Sequence, residues 1–356
     1  MSHQRGETST ELKADAAPAP EDPQKPDRIR DITKPSWKYV ARKAVREFGD
    51  DGCPDIAASL TYYAVLSLFP ALLALVSLLG LFGQAERTAN GMMDILQSVA
   101  PGSSAEAVRG PVEELVRSPA AGLALVGGIL GALWTASGYV GAFGRAMNLV
   151  YEVEEGRGFI RLRGTMLALT VGAVVIVAIT SAMLVLSGPL ASAVGSMIGL
   201  GQPAVMAWDI AKWPVALVLV IVLIALLYYF TPNVKQPRFR WMTLGSLLAL
   251  IVLAVTTLGF GFYVANFGHY NKTYGALGGV VILLLWLWLV NMSLLFGAEF
   301  DAETERAREL QAGIGAEETI QLPPRATVKV EKKREADAQD LRRARELRHG
   351  AGRSEA

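Results

Sequence analysis

The sequence predicts an all-α, polytopic membrane protein with six transmembrane helices, and three observations predict it. The chain has 356 residues, 52% of them hydrophobic, and the apolar residues gather into six long, nearly uncharged stretches. A bilayer core about 30 Å thick requires about 20 mostly apolar residues in helical form. Segments 56–83, 120–147, 164–188, 213–231, 241–266 and 276–299 meet that requirement and are too continuously apolar for soluble core helices. None alternates polar and apolar residues with a period of two, which excludes a β-barrel.

The flanks differ from this middle. Residues 1–35 and 306–356 are charged and almost free of aromatic side chains, so they cannot bury enough apolar surface to offset the entropy of ordering, and disorder is predicted for both. The membrane domain is then 36–305. No apolar run lies near Met1, so insertion is expected to depend on an internal span. Before the first span, SWKYVARKAVREFG (36–49) puts Trp37, Val40, Ala41, Ala44, Val45 and Phe48 on one helical face and Lys38, Arg42, Lys43 and Arg46 on the other. That is the pattern of an interfacial helix lying on an anionic leaflet.

In the first span, LTYYAVLSLFPALLAL, Pro70 removes the amide that would have bonded the carbonyl of Leu66. A carbonyl freed in this way is tolerated in a membrane only beside other helices, hydroxyls or water. The face carrying Ser59, Tyr63, Ser67, Pro70, Ala74 and Ser77 is therefore expected to point into the bundle. Segment 84–119 has a helical period broken at Pro101-Gly102 and predicts two short surface helices. The second span holds seven glycines, from Gly122 to Gly144, whose cost in helix propensity must be offset by close packing, so a central position is expected.

Lys and Arg in the connections set the orientation. The connection after the second span carries Arg145, Arg157, Arg161 and Arg163, and the one after the fourth carries Lys235, Arg238 and Arg240. Those from 189–212 and 267–275 have one lysine each, Lys212 and Lys272. Both termini are thus expected in the cytoplasm.

Polar residues inside spans are costly and mark candidate sites. Arg145 and Glu299 lie near the cytoplasmic ends of the second and sixth spans and are expected to pair, with Asn148 one turn after Arg145. Asn291 lies deeper in the sixth span and needs a partner on a neighbouring helix. Asn266 and Lys272 make the outward turn into that span polar. The wider repertoire of catalysis is missing. Of three histidines, His3 and His349 lie in the tails and His269 in an outward loop. The chain has no H-E-x-x-H, C-x-x-C, P-loop or G-x-S-x-G pattern. The single cysteine, Cys53, forms no disulfide framework or thiolate cluster. No metal, cofactor or enzymatic activity is expected. A net charge of +1 gives no general attraction to nucleic acid, and KKREADAQDLRRARELRH near the C-terminus mixes acids among its arginines without an aromatic residue.

The first-span stretch, LWTASGYVGAFGRAMNLVYEVEE (133–155), LLYYFTPNVKQPRFRW (226–241) and YGALGGVVILLLWLWLVNMSLLFGAEFDAE (274–303), taken in order, resemble the YihY/BrkB family of bacterial inner-membrane proteins. The resemblance implies a multi-pass inner-membrane protein. That family once carried the label ribonuclease BN, since withdrawn, and one branch is named for serum resistance. The expected function is transport or flipping of an amphiphile such as a lipid or envelope precursor, with membrane lipids as partners. A non-catalytic envelope scaffold is the alternative, and a membrane-associated ribonuclease ranks behind both. The sequence sets no oligomeric state.

Overall fold

The computed structural model describes residues 8–26, 28–79, 121–186, 191–192, 201–237, 243–267 and 276–351. The surface helices expected within 84–119, and Lys272, lie outside these residues. The helices are α1 (Ser9–Ala16), α2 (Lys34–Asp50), α3 (Cys53–Leu79), α4 (Ala121–Val150), α5 (Phe159–Val185), α6 (Gln202–Phe230), α7 (Leu244–Phe267), α8 (Ala276–Gln311) and α9 (Val328–Ala351). Among the described residues the only β pairing is an isolated antiparallel bridge between Val234 and Pro324.

Four of these helices are long and apolar enough to cross a membrane: α5, α6, α7 and α8. They turn large hydrophobic side chains outward, among them Val177, Leu217, Leu258 and Leu285. A water-facing surface avoids so extensive an apolar patch, whereas a lipid-facing one requires it. Helices α3 and α4 occupy the other two predicted spans, and α3 stays helical through Pro70.

Helices α3 and α4 pack along one another, α8 lies between α3 and α7, and α5 joins α4 to α6. Helix α7 leans on α8 and meets α6 only at isolated points. The α7–α8 contact depends on two glycines. A Cβ on Gly245 would stand 2.0 Å from the Gly297 carbonyl oxygen, and one on Gly297 would stand 2.4 Å from the Gly245 oxygen. The main core sits toward the end of the bundle where the termini gather, called here the polar end. Phe143 is fully buried there, stacked between Tyr139 and Tyr228 at centroid distances of 6.4 and 6.2 Å.

Helix α8 has 36 residues; at 1.5 Å per residue that is about 54 Å, well beyond a hydrocarbon core of about 30 Å. Its charged final turns project past the apolar span and receive α2. The interfacial-helix expectation is corrected here. Val40 and Ala44 are buried, the Trp37 ring stacks on Phe300 at 6.2 Å, and Phe48 meets Phe296 edge-on at 5.5 Å. Most of the apolar face of α2 is spent on α8, and Ala41 and Val45 alone of that face stay exposed.

The expected disorder is corrected as well for residues 8–26, 28–35 and 306–351. Thr8 closes a capping box with Glu11 at the start of α1, and Lys13 Nζ donates to the Glu152 carbonyl at 2.8 Å. Lys25, with no exposed side-chain surface, bridges Glu305 at 2.9 Å and Glu309 at 3.1 Å. After α8 the chain turns back and buries Ala316, Ile320, Leu322 and Val330. Composition misleads at these positions because the tails build no core of their own: they dock on one already present, through ion pairs as much as apolar burial. Beyond Val330, α9 is exposed.

Gly245→Ala should push α7 off α8 and lower thermal stability in detergent by about 1–3 kcal/mol, the usual cost of overpacking. Gly261→Ala, on the same helix but with nothing within 4 Å of the added carbon, should leave the melting temperature unchanged.

Candidate functional site

Three polar arrangements follow one another from the bundle interior to the polar end. In the interior, Asn291 of α8 is 2% exposed. Its Oδ1 accepts the Tyr139 hydroxyl of α4 at 2.8 Å, and its Nδ2 donates to Thr61 Oγ1 of α3 at 3.2 Å and to the Leu287 carbonyl at 3.0 Å. One amide thus ties three helices. A turn away, Trp288 Nε1 donates to the Pro54 carbonyl at 3.0 Å.

At the polar end, loops and tails converge on buried cations. Arg157 forks onto Glu155 at 2.8 and 2.7 Å and donates to the Thr231 carbonyl at 2.6 Å. Burial raises the Glu155 carboxyl, but the Arg157 hydrogen bonds and charge outweigh it and hold Glu155 below the usual carboxylate range. Arg306, 1% exposed, shares its Nε–H between the two Glu303 oxygens, both at 3.0 Å, and donates to Glu152 at 2.6 Å and the Ala316 carbonyl at 3.0 Å. Asn233 clamps three segments: its amide N–H donates to Asn148 Oδ1 at 2.7 Å, and its Nδ2 donates to the carbonyls of Glu154 and Ala326, both at 2.9 Å. Among the described residues every buried side-chain nitrogen and oxygen has a partner.

The third arrangement is a cavity of about 140 Å³ between the end of α6, the start of α7, α8 and the segment before α2. Tyr228 and Tyr229, Leu244, Asp301, Arg308 and Arg28 are among its walls. The Asp301 carboxylate accepts from the Thr243 hydroxyl and, at 2.7 Å, from the Gly245 amide. Arg308 pairs with Glu305 and donates to the Pro26 carbonyl at 2.8 Å. Among the described residues, no three His, Cys, Asp or Glu side chains stand together as metal ligands.

The structure distributes the sequence-chosen residues unevenly. Asn291 has the neighbouring-helix partners that its depth demands. Asn148 is buried and bonds Glu155 at 3.0 Å as well as Asn233. Arg145 does not pair with Glu299: it is exposed, with its guanidinium 5.8 Å from the Tyr63 ring centroid. Glu299 is buried, where the Cys53 thiol reaches its Oε1 at 3.5 Å. The two side chains sit on different faces of their helices, which similar depth in two spans could not reveal. On α3, the buried stripe is Ala57, Leu60 and Thr61, while Ser59 is exposed and Ser67 bonds the Ala64 carbonyl of its own helix at 2.6 Å. The bundle-facing direction is thus turned from the expected one, although Tyr63 still packs beside Gly138. The Pro70 side chain lies outside those described. Asn266 is exposed and bonds the Phe262 carbonyl of its own helix at 2.8 Å.

Asp51, at the corner where Gly52 takes φ +64°, was not singled out by its sequence. Its carboxyl is pushed up from 3.8 to about 6 by burial and by the charges of Glu47 and Glu152, against a hydrogen bond with Glu299 and with Asp50 adding repulsion. The signal for the polar end was the helical spacing of charges at 299, 303, 306 and 305, 309, which continues the sixth span beyond the membrane.

A helical bundle with an apolar outer surface and a charged, folded end defines an α-helical integral membrane protein. Residues 44–319 match the family described as virulence factor BrkB, and the chain belongs to that family, as the four quoted segments anticipate. It is 28% identical over 254 residues to the ribonuclease-like protein YfkH of Bacillus subtilis, covering 71% of this chain and 90% of that one. It is 33% identical over 287 residues to a UPF0761 membrane protein of Alkalilimnicola ehrlichii, covering 78% and 60% of the two chains. A UPF0761 membrane protein of Rhodospirillum centenum is 30% identical over 287 residues, with 78% and 61% covered. The chain therefore spans about three fifths of the length of these two UPF0761 relatives. No solved structure matches.

Two predictions follow from this geometry. A double-mutant cycle of Tyr139→Phe and Asn291→Leu should give a coupling of about 0.5–1.7 kcal/mol, the range of interhelical hydrogen bonds in membranes. Because the folded Asp51 value is raised, its contribution is present below about pH 4 and is lost as pH rises through 6. Asp51→Asn should raise the unfolding free energy at pH 8 by about 1 kcal/mol after solvent screening, and leave it unchanged at pH 4.

Proposed function

We propose that this protein moves an amphiphile, a lipid or envelope precursor, across or within the bacterial inner membrane. The observation that carries this reading is the cavity at the polar end. It joins charged groups of α8 and the N-terminal segment to apolar walls, and lies at the base of the α6–α7 seam, where the two helices meet only at isolated points. An amphiphile needs that combination of a polar recess next to an apolar path, whereas a soluble ligand does not need the path. In this reading α3 and α4 cross the membrane with the other four helices, giving six spans. The basic connections put the polar end, with both termini, in the cytoplasm.

A scaffold role is the second reading, favoured by α9, which projects from the cap with its charged residues exposed. The ribonuclease-like name belongs to the Bacillus relative.

Proteoliposomes holding the full chain should exchange a labelled phospholipid between leaflets faster than protein-free vesicles. Exchange at the protein-free rate by folded protein, with each of several lipid classes, would favour the scaffold.

A further inference from the structure

The cavity at the polar end is lined by two charges of opposite sign that, among the described residues, have no counter-charge. Most charges around it are spoken for. Glu305 receives both Lys25 and Arg308, and Glu309 receives Lys25 and, at 2.7 Å, the Gln321 amide. Asp301 differs. Its carboxylate is held by the Thr243 hydroxyl and the Gly245 amide, which are neutral donors, and among the described residues no cation pairs with it. It is partly exposed, and lines the cavity. Arg28 is the converse. Its guanidinium is exposed at the cavity wall, and among the described residues it makes no ion pair or side-chain hydrogen bond.

A site that offers one unneutralised carboxylate and one unneutralised guanidinium complements a ligand carrying both an ammonium and an anion. Such a ligand satisfies both charges at once, whereas an anion alone would be repelled by Asp301 and a cation alone by Arg28. Size narrows the choice. At about 30 Å³ per water, 140 Å³ is the volume of about five waters, below the roughly 300 Å³ at which pockets begin to enclose whole small molecules. The cavity therefore admits a head group and leaves the rest of the ligand outside. What lies outside is apolar: Leu217 and Val218 of α6 and Leu247 and Ile251 of α7 are exposed along the helices that rise from the cavity. Acyl chains lie against such a surface at no desolvation cost.

We infer that this cavity binds the zwitterionic head group of a phospholipid, with its ammonium on Asp301, its phosphate on Arg28 and its acyl chains along the α6–α7 seam. The assignment deepens the transport reading, on which it rests, by naming the substrate class.

Binding is measured without flux, so the two ideas fail separately: a protein that selects the lipid but does not move it contradicts the transport reading alone. The full chain in detergent is titrated with phosphatidylethanolamine, with phosphatidylglycerol, with glycerophosphoethanolamine and with inorganic phosphate, and bound lipid is counted by native mass spectrometry. Wild type should prefer phosphatidylethanolamine over phosphatidylglycerol by about five-fold or more, the scale of one ion pair that is only partly shielded from water. Asp301→Asn, whose Oδ1 can still accept the Gly245 amide while its Nδ2 donates to the Thr243 hydroxyl oxygen, should abolish the preference. Arg28→Gln, at an exposed position, should weaken binding of both lipids alike and leave the preference, which Asp301 sets. Equal binding of the two lipids by wild type would overturn the proposal, as would a preference that survives Asp301→Asn or lipid binding that Arg28→Gln leaves as tight as before. Binding of glycerophosphoethanolamine or phosphate as tight as that of the lipid would overturn the acyl-chain path and assign the cavity to a soluble phosphate ester.

Discussion

The polar end depends on one buried side chain. Arg306 lies at the point where α8, the corner after α4 and the returning C-terminal segment meet, and its three nitrogens donate to Glu303, Glu152 and the Ala316 carbonyl. A guanidinium in so enclosed a place is tolerable only with this complete set of acceptors, and removal of one partner from such a buried pair costs about 3–5 kcal/mol. Glu152 is held in turn. It takes φ 52°, unusual for a residue with a side chain, and its second oxygen accepts the Ile320 amide at 2.9 Å. The strained corner and the returning segment are therefore fixed by one ionic contact, and the N-terminal segment is fixed to the same helix by Lys25.

This arrangement explains why α8 outlasts the membrane. Its first part is a span whose outer surface is apolar; its last turns are a pillar, largely buried by the segments docked on it, with acids at helical spacing. Those acids recruit cations from segments far apart in the chain. The pillar is also the wall of the cavity, since Asp301, Thr304, Glu305 and Arg308 all line it. Cap and cavity are thus one construction: the ion pairs that order the N-terminal segment also place Pro26, Arg28 and Ile32 against the cavity.

The four helices long and apolar enough to cross a membrane were legible because their signal is local. Length and continuous hydrophobicity decide a membrane helix, and no partner is needed to recognise it. Asn291 was legible for a related reason, since an amide in an apolar helix must find a partner somewhere. What stayed hidden depended on rotation and on long-range contact. The Arg145–Glu299 pairing failed because depth along two spans leaves the facing direction open, and the direction is set by how α3 wedges between α4 and α8. The tails were misread because composition reports whether a segment can build a core, and these segments borrow one. Asp301 and Arg28 carry no motif at all: 273 positions separate them, and only the folded cap brings both to one wall.

The central claim is that the cavity at the base of α6 and α7 is where an amphiphile meets this protein. A phospholipid bearing a photoreactive group at its head, incorporated with the full chain in nanodiscs and activated by light, tests it most directly through peptide mapping of the adducts. The account predicts adducts concentrated on the cavity walls, at residues 225–229, 243–244 and 301–308. Adducts spread evenly among the polar-end residues of all lipid-facing helices, with α5 labelled as heavily as α6 and α7, would contradict it.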